Sequence, residues 1–512
     1  MSAIFFGILH GWSIASPWSG GAVWWWQLIA MTWLVGKVIR SESPKVAFKT
    51  AAWFSLAWFC SSMWWLYISM HHYGSLPVPL AALGVVALSA LLGSFYAVGV
   101  LGFATLRSEN NGGNVGKPLQ DALLFAALWL LAELLRGTVM TGLPWSAAGY
   151  AHIDGPLAST APSAGVYGIS ALAAFIAALF VLTRSCLLKV GIIVLLCVKA
   201  SLMPSPQAIP GKASQTLPLT GLTVRLLQGN IPQNEKFDAK TGVATALTWY
   251  QDQMLAAQKA GVDVVVAPET AIPLLPHQLP AGYWPSIFDA FTKSTTSAAL
   301  VGIPLGSNEE GYTNSVLGLS SNAAPYRYDK HHLVPFGEFI PPLFRWFTDL
   351  MNIPLGDFNR GGLAQPSFVH KGERFAINIC YEDLFGEELA QRFTNPTTAP
   401  TVFVNISNMG WFGSGMAIDQ HLNISRMRAI EFNRPVIRAT NTGATAVIDH
   451  KGVVTHSLAR VTRGALDSRV VGQTEMTTYA KWTSQYGLQP LWVLACSWVI
   501  WVFIRKKYMM KS

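Results

Sequence analysis

Long apolar stretches dominate the first 203 residues of the chain and return once near its end. A helix that crosses a bilayer needs roughly 20 mostly apolar residues. Eight stretches approach this length and predict membrane spans at 3–15, 22–38, 49–69, 78–106, 120–138, 163–183, 187–203 and 489–504. The pattern therefore predicts a multi-pass α-helical membrane domain, with about seven helices over 1–203 and a last helix with a basic tail over 489–512.

The region between these stretches follows a different pattern. Residues 204–220 are rich in Pro and Ser and predict a linker. Beyond them, short apolar runs bounded by turns predict strands at 222–230, 262–270, 298–306, 314–320, 375–383, 401–408, 435–441 and 444–450. Helical stretches at 240–260 and 417–433 separate some of these runs. Strands that alternate with helices predict an α/β domain over 221–488.

The charges predict the orientation of the spans. Only 12% of the residues are charged, against about a quarter in soluble domains. Lys and Arg gather in alternate loops and in the tail, whereas the loops around 14–21, 70–77 and 140–162 have none. The positive-inside rule then predicts cytoplasmic termini and places 204–488 on the opposite face. The net charge of +9 is largely explained by these loops, so it does not indicate binding to nucleic acid.

One cysteine differs from the other four. Cys380 is the only cysteine of the region 204–488, where it ends the apolar run of "FAINICYEDLF" (375–385), while the others lie in or beside predicted spans. It has no partner there for a disulfide, and a single cysteine cannot form a Cys-rich zinc site. Two interpretations stay open at this point: a buried structural cysteine or a nucleophile.

A cysteine nucleophile needs a base and donors for the oxyanion, and the same region offers both. Glu269 follows the run "VVVAP", and Lys330 and Glu338 lie eight residues apart around a Pro-Phe-Gly turn. We expect Glu269, Lys330 and Cys380 to converge at one edge of a sheet. Two acids, Glu382 and Asp383, follow Cys380 closely; the alternation of side chains along a strand is expected to turn them away from its sulfur.

These segments resemble the nitrilase superfamily of carbon–nitrogen hydrolases, and within it the membrane-bound apolipoprotein N-acyltransferase family. The resemblance rests on "APETAIP" (267–273), "YDKHHLVPFGEFIP" (328–341), "CYED" (380–383), "NISNMGWFG" (405–413) and "RMRAIEFNRPVIRATNTG" (426–443). It extends to the apolar region through "WWLYISMHHYG" (64–74) and "AELLRGTVMTGLPW" (132–145). It implies a nitrilase-like α-β-β-α sandwich for residues 221–488.

The resemblance also implies a role for each motif residue. Cys380 is expected to be the nucleophile, Glu269 the general base and Lys330 the oxyanion stabiliser. The supporting residues are two acids and a main-chain N–H donor: Glu338, Glu382 and Tyr381. Substrate-binding roles are implied for Phe237, where the family often has Trp, and for Asn314, Asn408 and Trp411. Neither a cofactor nor a metal is expected, since His331 and His332 are adjacent without further spaced ligands.

The implied reaction is the transfer of an acyl chain from a phospholipid, typically phosphatidylethanolamine, to a lipoprotein. Cys380 would form a thioester and pass the acyl group to the N-terminal α-amino group of the diacylglyceryl-cysteine of an apolipoprotein, which implies ping-pong kinetics. The implied location is the bacterial inner (cytoplasmic) membrane, with the catalytic domain on the periplasmic side.

The sequence leaves two other functions and the roles of two features open. A membrane-tethered amidase or nitrilase would hydrolyse a soluble substrate with the same residues, but eight spans would then be unexplained. A transporter is disfavoured because the spans show no paired broken helices. Glu133 and Arg136 inside a predicted span could only neutralise each other, or could bind a lipid headgroup or another helix. Residues 341–358 could form a buried helix or a lid at the bilayer surface.

Overall fold

The computed structural model describes residues 1–107, 117–202, 220–321, 324–340 and 358–509. The expected linker at 204–220 lies outside the described residues except for residue 220. The segment 341–358 lies outside them except for residue 358. The chain forms two compact units. One comprises Met1–Tyr67, Pro77–Ser205 and Tyr486–Ser512, and the other Ile68–Leu76 and Pro206–Gln485. The predicted domain boundaries stay predictions.

The first unit is helical. Its longer helices, in chain order, are Ser2–Trp12, Trp24–Ile39, Pro44–Met63, Val78–Leu106, Lys117–Thr138, Ala161–Leu182, Cys186–Ser201 and Gln489–Met509. Each predicted span coincides with one of them. Local sequence explains such boundaries: the Ser43 side chain accepts from the N–H of Val46, and Pro44 occupies the first turn.

Fewer helices than eight meet the requirements for a span. Val78–Leu106, Lys117–Thr141 and Ala158–Leu182 are long and apolar enough to cross a membrane, judged by length and composition among the described residues. The bent pair Thr478–Tyr486 and Gln489–Tyr508 would add a fourth. The apolar helices are therefore present, whereas the count of eight spans stays a prediction.

A buried ion pair organises one loop of the helical unit. Nη2 of Arg136 lies 2.7 Å from Oε2 of Glu133, and both side chains are fully buried. Arg136 also donates to the carbonyl oxygens of Leu143 and, at 2.7 Å, of Trp145. Oε1 of Glu133 accepts from the N–H of Ala148 at 2.9 Å. The pair thus satisfies buried backbone groups of the loop that follows it, a structural role that the sequence left open.

The second unit contains two six-stranded sheets. The strands are β1 Leu222–Gln228, β2 Val264–Val266, β3 Ala298–Ser307, β4 Gly311–Leu319, β5 Tyr326–Asp329, β6 Phe368–His370, β7 Glu373–Ile379, β8 Val402–Ser407, β9 Val436–Thr440, β10 Ala446–Ile448, β11 Val454–Ser457 and β12 Gly464–Val470. The orders are β12-β1-β2-β3-β4-β5 and β11-β10-β9-β8-β7-β6. Parallel pairs at the centre and antiparallel pairs outside make both sheets mixed.

Helices cover each sheet. Gly242–Lys259 and Tyr283–Thr292 pack on the first sheet through a cluster that includes Tyr250 and Ile287. Met416–Phe432 and Thr478–Tyr486 pack on the second through a cluster that includes Phe432 and Tyr479. The sheets contact each other through β1 and β9. The predicted α/β domain with two sheets is therefore confirmed.

All eight predicted strands and both predicted helices are present, but four strands were not predicted. The unpredicted strands are β5, β6, β11 and β12. β12, with the sequence "GALDSRV", pairs with β1 and places Asp467 2.6 Å from Arg225. Charged residues are tolerated in this strand because they pair with charges on the neighbouring strand. The sequence of β12 therefore has no apolar run like those that predicted the other strands.

Candidate active site

The three expected site residues lie where strands end. Glu269 follows β2 after two residues, Lys330 follows β5 directly, and Cys380 follows β7 directly. Nζ of Lys330 lies 3.3 Å from Oε1 of Glu269. The charges of both residues act on the thiol of Cys380. The three residues converge as predicted, but the expectation of one edge of a single sheet is wrong: Glu269 and Lys330 follow strands of the first sheet, and Cys380 follows a strand of the second.

The backbone at Cys380 takes an unusual conformation. β7 ends at Ile379, Cys380 has a φ of +52°, and Cys380–Leu384 form a single 3₁₀ turn. A left-handed conformation is unfavourable for a residue other than glycine and persists only where its surroundings hold it. The carbonyl oxygen of Cys380 accepts from Nε2 of His421 at 3.1 Å and from Nδ2 of Asn405 at 3.4 Å. These two side chains hold the turn.

The acids that follow the cysteine are turned away by this 3₁₀ turn. The expectation that strand alternation separates them from the sulfur is wrong, because the strand has already ended. The buried carboxylate of Glu382 accepts from the N–H of Ile379 at 2.6 Å and of His331 at 2.7 Å. It also accepts from the hydroxyl of Tyr328 at 2.8 Å. Glu382 thus ties the cysteine turn to the segment that carries Lys330.

The side chain of Asp383 points away from the sulfur of Cys380, toward Ser425 and Arg438. Its carboxylate accepts from the hydroxyl of Ser425 and lies 3.6 Å from the guanidinium of Arg438. Burial raises the pKa of Asp383, and the Arg438 charge opposes this. The acid is therefore occupied in the packing between the second sheet and the helix Met416–Phe432.

Two carboxylates hold the lysine. Lys330 is almost fully buried. Its Nζ lies 2.9 Å from Oε1 of Glu338, in addition to its contact with Glu269. Nδ2 of Asn314 donates to both carboxylates, at 2.7 Å to Glu269 and 2.8 Å to Glu338. Burial alone would lower the pKa of Lys330, but Glu338 and Glu269 raise it above its ordinary value. The lysine is therefore a fixed cation.

The surroundings of Cys380 favour the protonated thiol. Burial and the charge of Glu269 raise its pKa, while Lys330 and the main-chain N–H of Asn408 oppose the rise. The same N–H donates to Oε2 of Glu269 at 2.8 Å. A thiol of this kind can act as a nucleophile only if a base removes its proton, and the carboxylate of Glu269 is close enough for its charge to act on the thiol.

Of the four expected substrate-binding residues, two are buried beside Glu269 and two have solvent-accessible aromatic rings. The amides of Asn314 and Asn408 belong to the hydrogen-bond network around Glu269, an arrangement that favours positioning over contact with a substrate. The ring of Phe237 is 53% exposed. The ring of Trp411 is half-buried and meets the ring of Tyr73 edge-on at 5.5 Å. The two aromatic rings are therefore more accessible to a substrate than the two asparagine side chains.

Sequence reasoning missed three polar residues at the site: Gln233, Lys236 and His421. Lys236 is buried, and its Nζ lies 3.1 Å from the main-chain oxygen of Glu269. It stands in "NEKFDAK", a polar stretch that looks like an ordinary surface loop. Its only sequence signal is its place beside Phe237, the position picked out by the resemblance.

Known proteins match both parts of the chain. Residues 4–179 match the apolipoprotein N-acyltransferase N-terminal domain, and residues 223–477 match the carbon-nitrogen hydrolase family. An apolipoprotein N-acyltransferase of Verminephrobacter eiseniae is 50% identical over 507 residues, which cover 95% of this chain and 92% of that protein. The chain belongs to the apolipoprotein N-acyltransferase family. The predictions of this family and of an acyltransferase enzyme are thereby confirmed.

Other members of the family align over similar lengths. The apolipoprotein N-acyltransferase of Ralstonia nicotianae is 42% identical over 90% of this chain and 86% of its own length. Among solved structures, a carbon-nitrogen hydrolase superfamily protein of Xanthomonas campestris aligns with 49% of this chain and 91% of its own, at 18% identity and a TM-score of 0.39.

Proposed function

We propose that this chain transfers an acyl chain from a phospholipid, through a thioester on Cys380, to the N-terminal α-amino group of the diacylglyceryl-cysteine of apolipoproteins. Membership in the apolipoprotein N-acyltransferase family supports lipoprotein N-acylation. The observation that carries the mechanism is the placement of Glu269, Lys330 and Cys380 at adjoining strand ends. Phosphatidylethanolamine is the donor that we propose.

In the first half-reaction the thiol attacks the ester carbonyl of the phospholipid. Glu269 takes the thiol proton as the carbon–sulfur bond forms, and Lys330 with the main-chain N–H of Tyr381 stabilises the oxyanion. The carbon–oxygen bond then breaks, and Glu269 returns the proton to the leaving alkoxide. The products are a thioester on Cys380 and a lysophospholipid.

In the second half-reaction the neutral α-amine of the apolipoprotein attacks the thioester. Glu269 accepts the amine proton as the carbon–nitrogen bond forms, and the proton returns to the sulfur when the carbon–sulfur bond breaks. The product is an amide, and the enzyme regains its thiol. Two products that leave in sequence from one covalent intermediate give ping-pong kinetics.

The two supporting acids, Glu338 and Glu382, maintain this arrangement without contacting the substrate. Glu338 holds the ammonium of Lys330 at 2.9 Å, and Glu382 joins the turn at Cys380 to the backbone after Lys330. The exposed ring of Phe237 and the half-buried ring of Trp411 are proposed to contact the lipid chains. Both substrates are lipids, so we place the enzyme in the bacterial inner membrane, with the catalytic unit on the periplasmic side.

Intact-mass spectrometry tests the proposal. The purified enzyme is incubated with phosphatidylethanolamine alone, and the expected result is a mass increase of one acyl group that hydroxylamine removes. Cys380→Ser should show no such adduct. Release of free fatty acid without an adduct would instead indicate a hydrolase, and neither product would reject acyl transfer.

The other triad residues allow a quantitative test. Lys330→Met should slow adduct formation by roughly 100- to 1000-fold, because one oxyanion-stabilising donor contributes about 3–4 kcal/mol. Glu269→Gln should slow it by roughly 100-fold or more, the loss expected when a general base is removed. The losses should not add in the double variant, since the residues act as one unit. Losses that multiply would contradict a shared site.

A further inference from the structure

Two buried polar side chains beside Glu269 have no part in the reaction as described so far. Gln233 is 6% exposed and Lys236 is 2% exposed. They lie three residues apart in the segment before the helix Gly242–Lys259. Nζ of Lys236 donates to the main-chain oxygen of Glu269, and its charge acts on the thiol of Cys380. The pair therefore lies at the reaction centre.

The neighbouring asparagine amides determine which atom of the Gln233 amide lacks a hydrogen-bond partner. Oδ1 of Asn441 accepts from the N–H of Ile231 at 3.1 Å, so Nδ2 of Asn441 is the donor to Oδ1 of Asn408 at 3.2 Å. Nδ2 of Asn408 then donates to Oε1 of Gln233 at 2.7 Å. This leaves Nε2 of Gln233, which has no acceptor among the described residues. A buried donor without an acceptor is costly.

Lys236 is also a buried donor with too few acceptors, and it carries a positive charge. An ammonium has three N–H donors, and within the described part of the chain Lys236 makes one hydrogen bond, to Glu269. Burial lowers the pKa of Lys236 to about 8, against the opposing charges of Glu269 and Cys380. An anion at Nζ would offset the cost of burial and keep the ammonium charged. Both side chains therefore lack an oxygen acceptor.

We propose that Gln233 and Lys236 form a subsite that binds the phosphodiester of the phospholipid acyl donor next to Cys380. This inference rests on the proposed function. A phosphodiester has two unesterified oxygens that share one negative charge, which suits an amide N–H beside an ammonium. It lies on the same glycerol as the ester that Cys380 attacks. The diacylglyceryl group of the acceptor has no phosphate, so the subsite distinguishes the donor from the acceptor.

The experiment compares two acyl donors with the same fatty acid. One is phosphatidylethanolamine, and the other is a p-nitrophenyl ester, which has no phosphate. Single-turnover formation of the acyl-enzyme is followed by mass spectrometry for Gln233→Met and Lys236→Met, which keep side-chain length and remove the donors. Lys240→Met, a loss of the same charge at an exposed position nearby, is the matched control.

We expect both variants to slow acylation by phosphatidylethanolamine by roughly 10- to 100-fold, the value of one charge-assisted hydrogen bond. Because Lys236 also contacts Glu269 and its charge acts on Cys380, acylation by the p-nitrophenyl ester is expected to slow as well, but the rate with phosphatidylethanolamine should fall about 10-fold further. Lys236→Arg should recover much of the phospholipid rate, and Lys240→Met should match wild type. Phosphatidylglycerol should show the same losses as phosphatidylethanolamine, since the two lipids share the phosphodiester.

Three results would overturn the subsite. Equal losses with both donors would mean that the pair acts on Glu269 or Cys380 and not on phosphate. Losses with phosphatidylethanolamine but not phosphatidylglycerol would assign the contact to the amine of the headgroup. No loss with either lipid would leave the pair without a role in donor binding. If wild type forms no adduct with either donor, the proposed function itself fails, so the two failures are distinguishable.

Discussion

The side chain of His421 donates a hydrogen bond to the backbone of Cys380: its Nε2 lies 3.1 Å from the carbonyl oxygen of the cysteine. On the other side of the ring, Nη2 of Arg438 lies 3.0 Å from Nδ1. A guanidinium can only donate, so Nδ1 accepts and Nε2 carries the proton. Burial and the Arg438 charge keep the pKa of His421 well below its ordinary value, and the ring is neutral.

Substitution of His421 tests whether this bond holds the left-handed turn. His421→Leu should slow acyl-enzyme formation by about 10-fold or more and lower the free energy of unfolding by about 1–3 kcal/mol, because the Cys380 carbonyl loses a buried donor. His421→Gln keeps a donor and should recover part of the rate. Single-turnover kinetics and thermal unfolding measure the two effects. A Leu variant as fast as wild type would show that Asn405 alone suffices.

Alkylation of Cys380 by iodoacetamide tests the charges around the thiol. The rate follows the thiolate fraction, so the raised pKa should make Cys380 slow to react at pH 8. Glu269→Gln removes a charge that raises this pKa, so the midpoint of the pH profile of alkylation should move to lower pH, even where loss of the base lowers the rate itself. Lys330→Met removes a charge that lowers it and should slow alkylation. Peptide mass spectrometry between pH 7 and 10 separates Cys380 from the four other cysteines. Shifts of the opposite sign would contradict the described arrangement.

The ion pair of Glu133 and Arg136 should dominate the stability of its loop. Arg136→Met leaves a buried carboxylate without its cation and should cost about 3–5 kcal/mol, measured by thermal unfolding in detergent. The double variant Glu133→Gln/Arg136→Met removes both charges and should be more stable than Arg136→Met alone. If the single variant unfolds at the wild-type temperature, the pair does not anchor the loop.

Reporter fusions test the predicted topology. A reporter that is active only in the cytoplasm should be silent when fused after residue 230, because the basic loops predict that this region lies on the opposite face. The same reporter should be active at residue 112 and after residue 512. Activity after residue 230 would overturn the eight-span prediction.

Much of the fold and of the site follows from local features of the sequence. The apolar stretches predicted the helices, and the short apolar runs predicted eight of the strands, because their patterns are set by burial of neighbouring residues. Glu269 and Cys380 were found because each follows an apolar run, Lys330 was found beside a Pro-Phe-Gly turn, and the resemblance implied their roles. Four strands were not predicted. β5, β6 and β11 are only three or four residues long and pair with the neighbouring strands β4, β7 and β10, so their runs are too short to stand out. β12 has two charged residues and pairs with β1, far away in the chain.

What the sequence determined by itself is the order of most elements, the family, and the set of three residues, Glu269, Lys330 and Cys380, that the fold brings together. Only the tertiary structure decided where their polar neighbours point: Glu382 to the backbone of His331, Asp383 to Ser425, and Lys236 to the carbonyl of Glu269. Each of these contacts joins residues 33 or more positions apart. The reason is physical: a buried polar group pairs with whichever donor or acceptor the packed sheets bring near, and no local pattern encodes that partner.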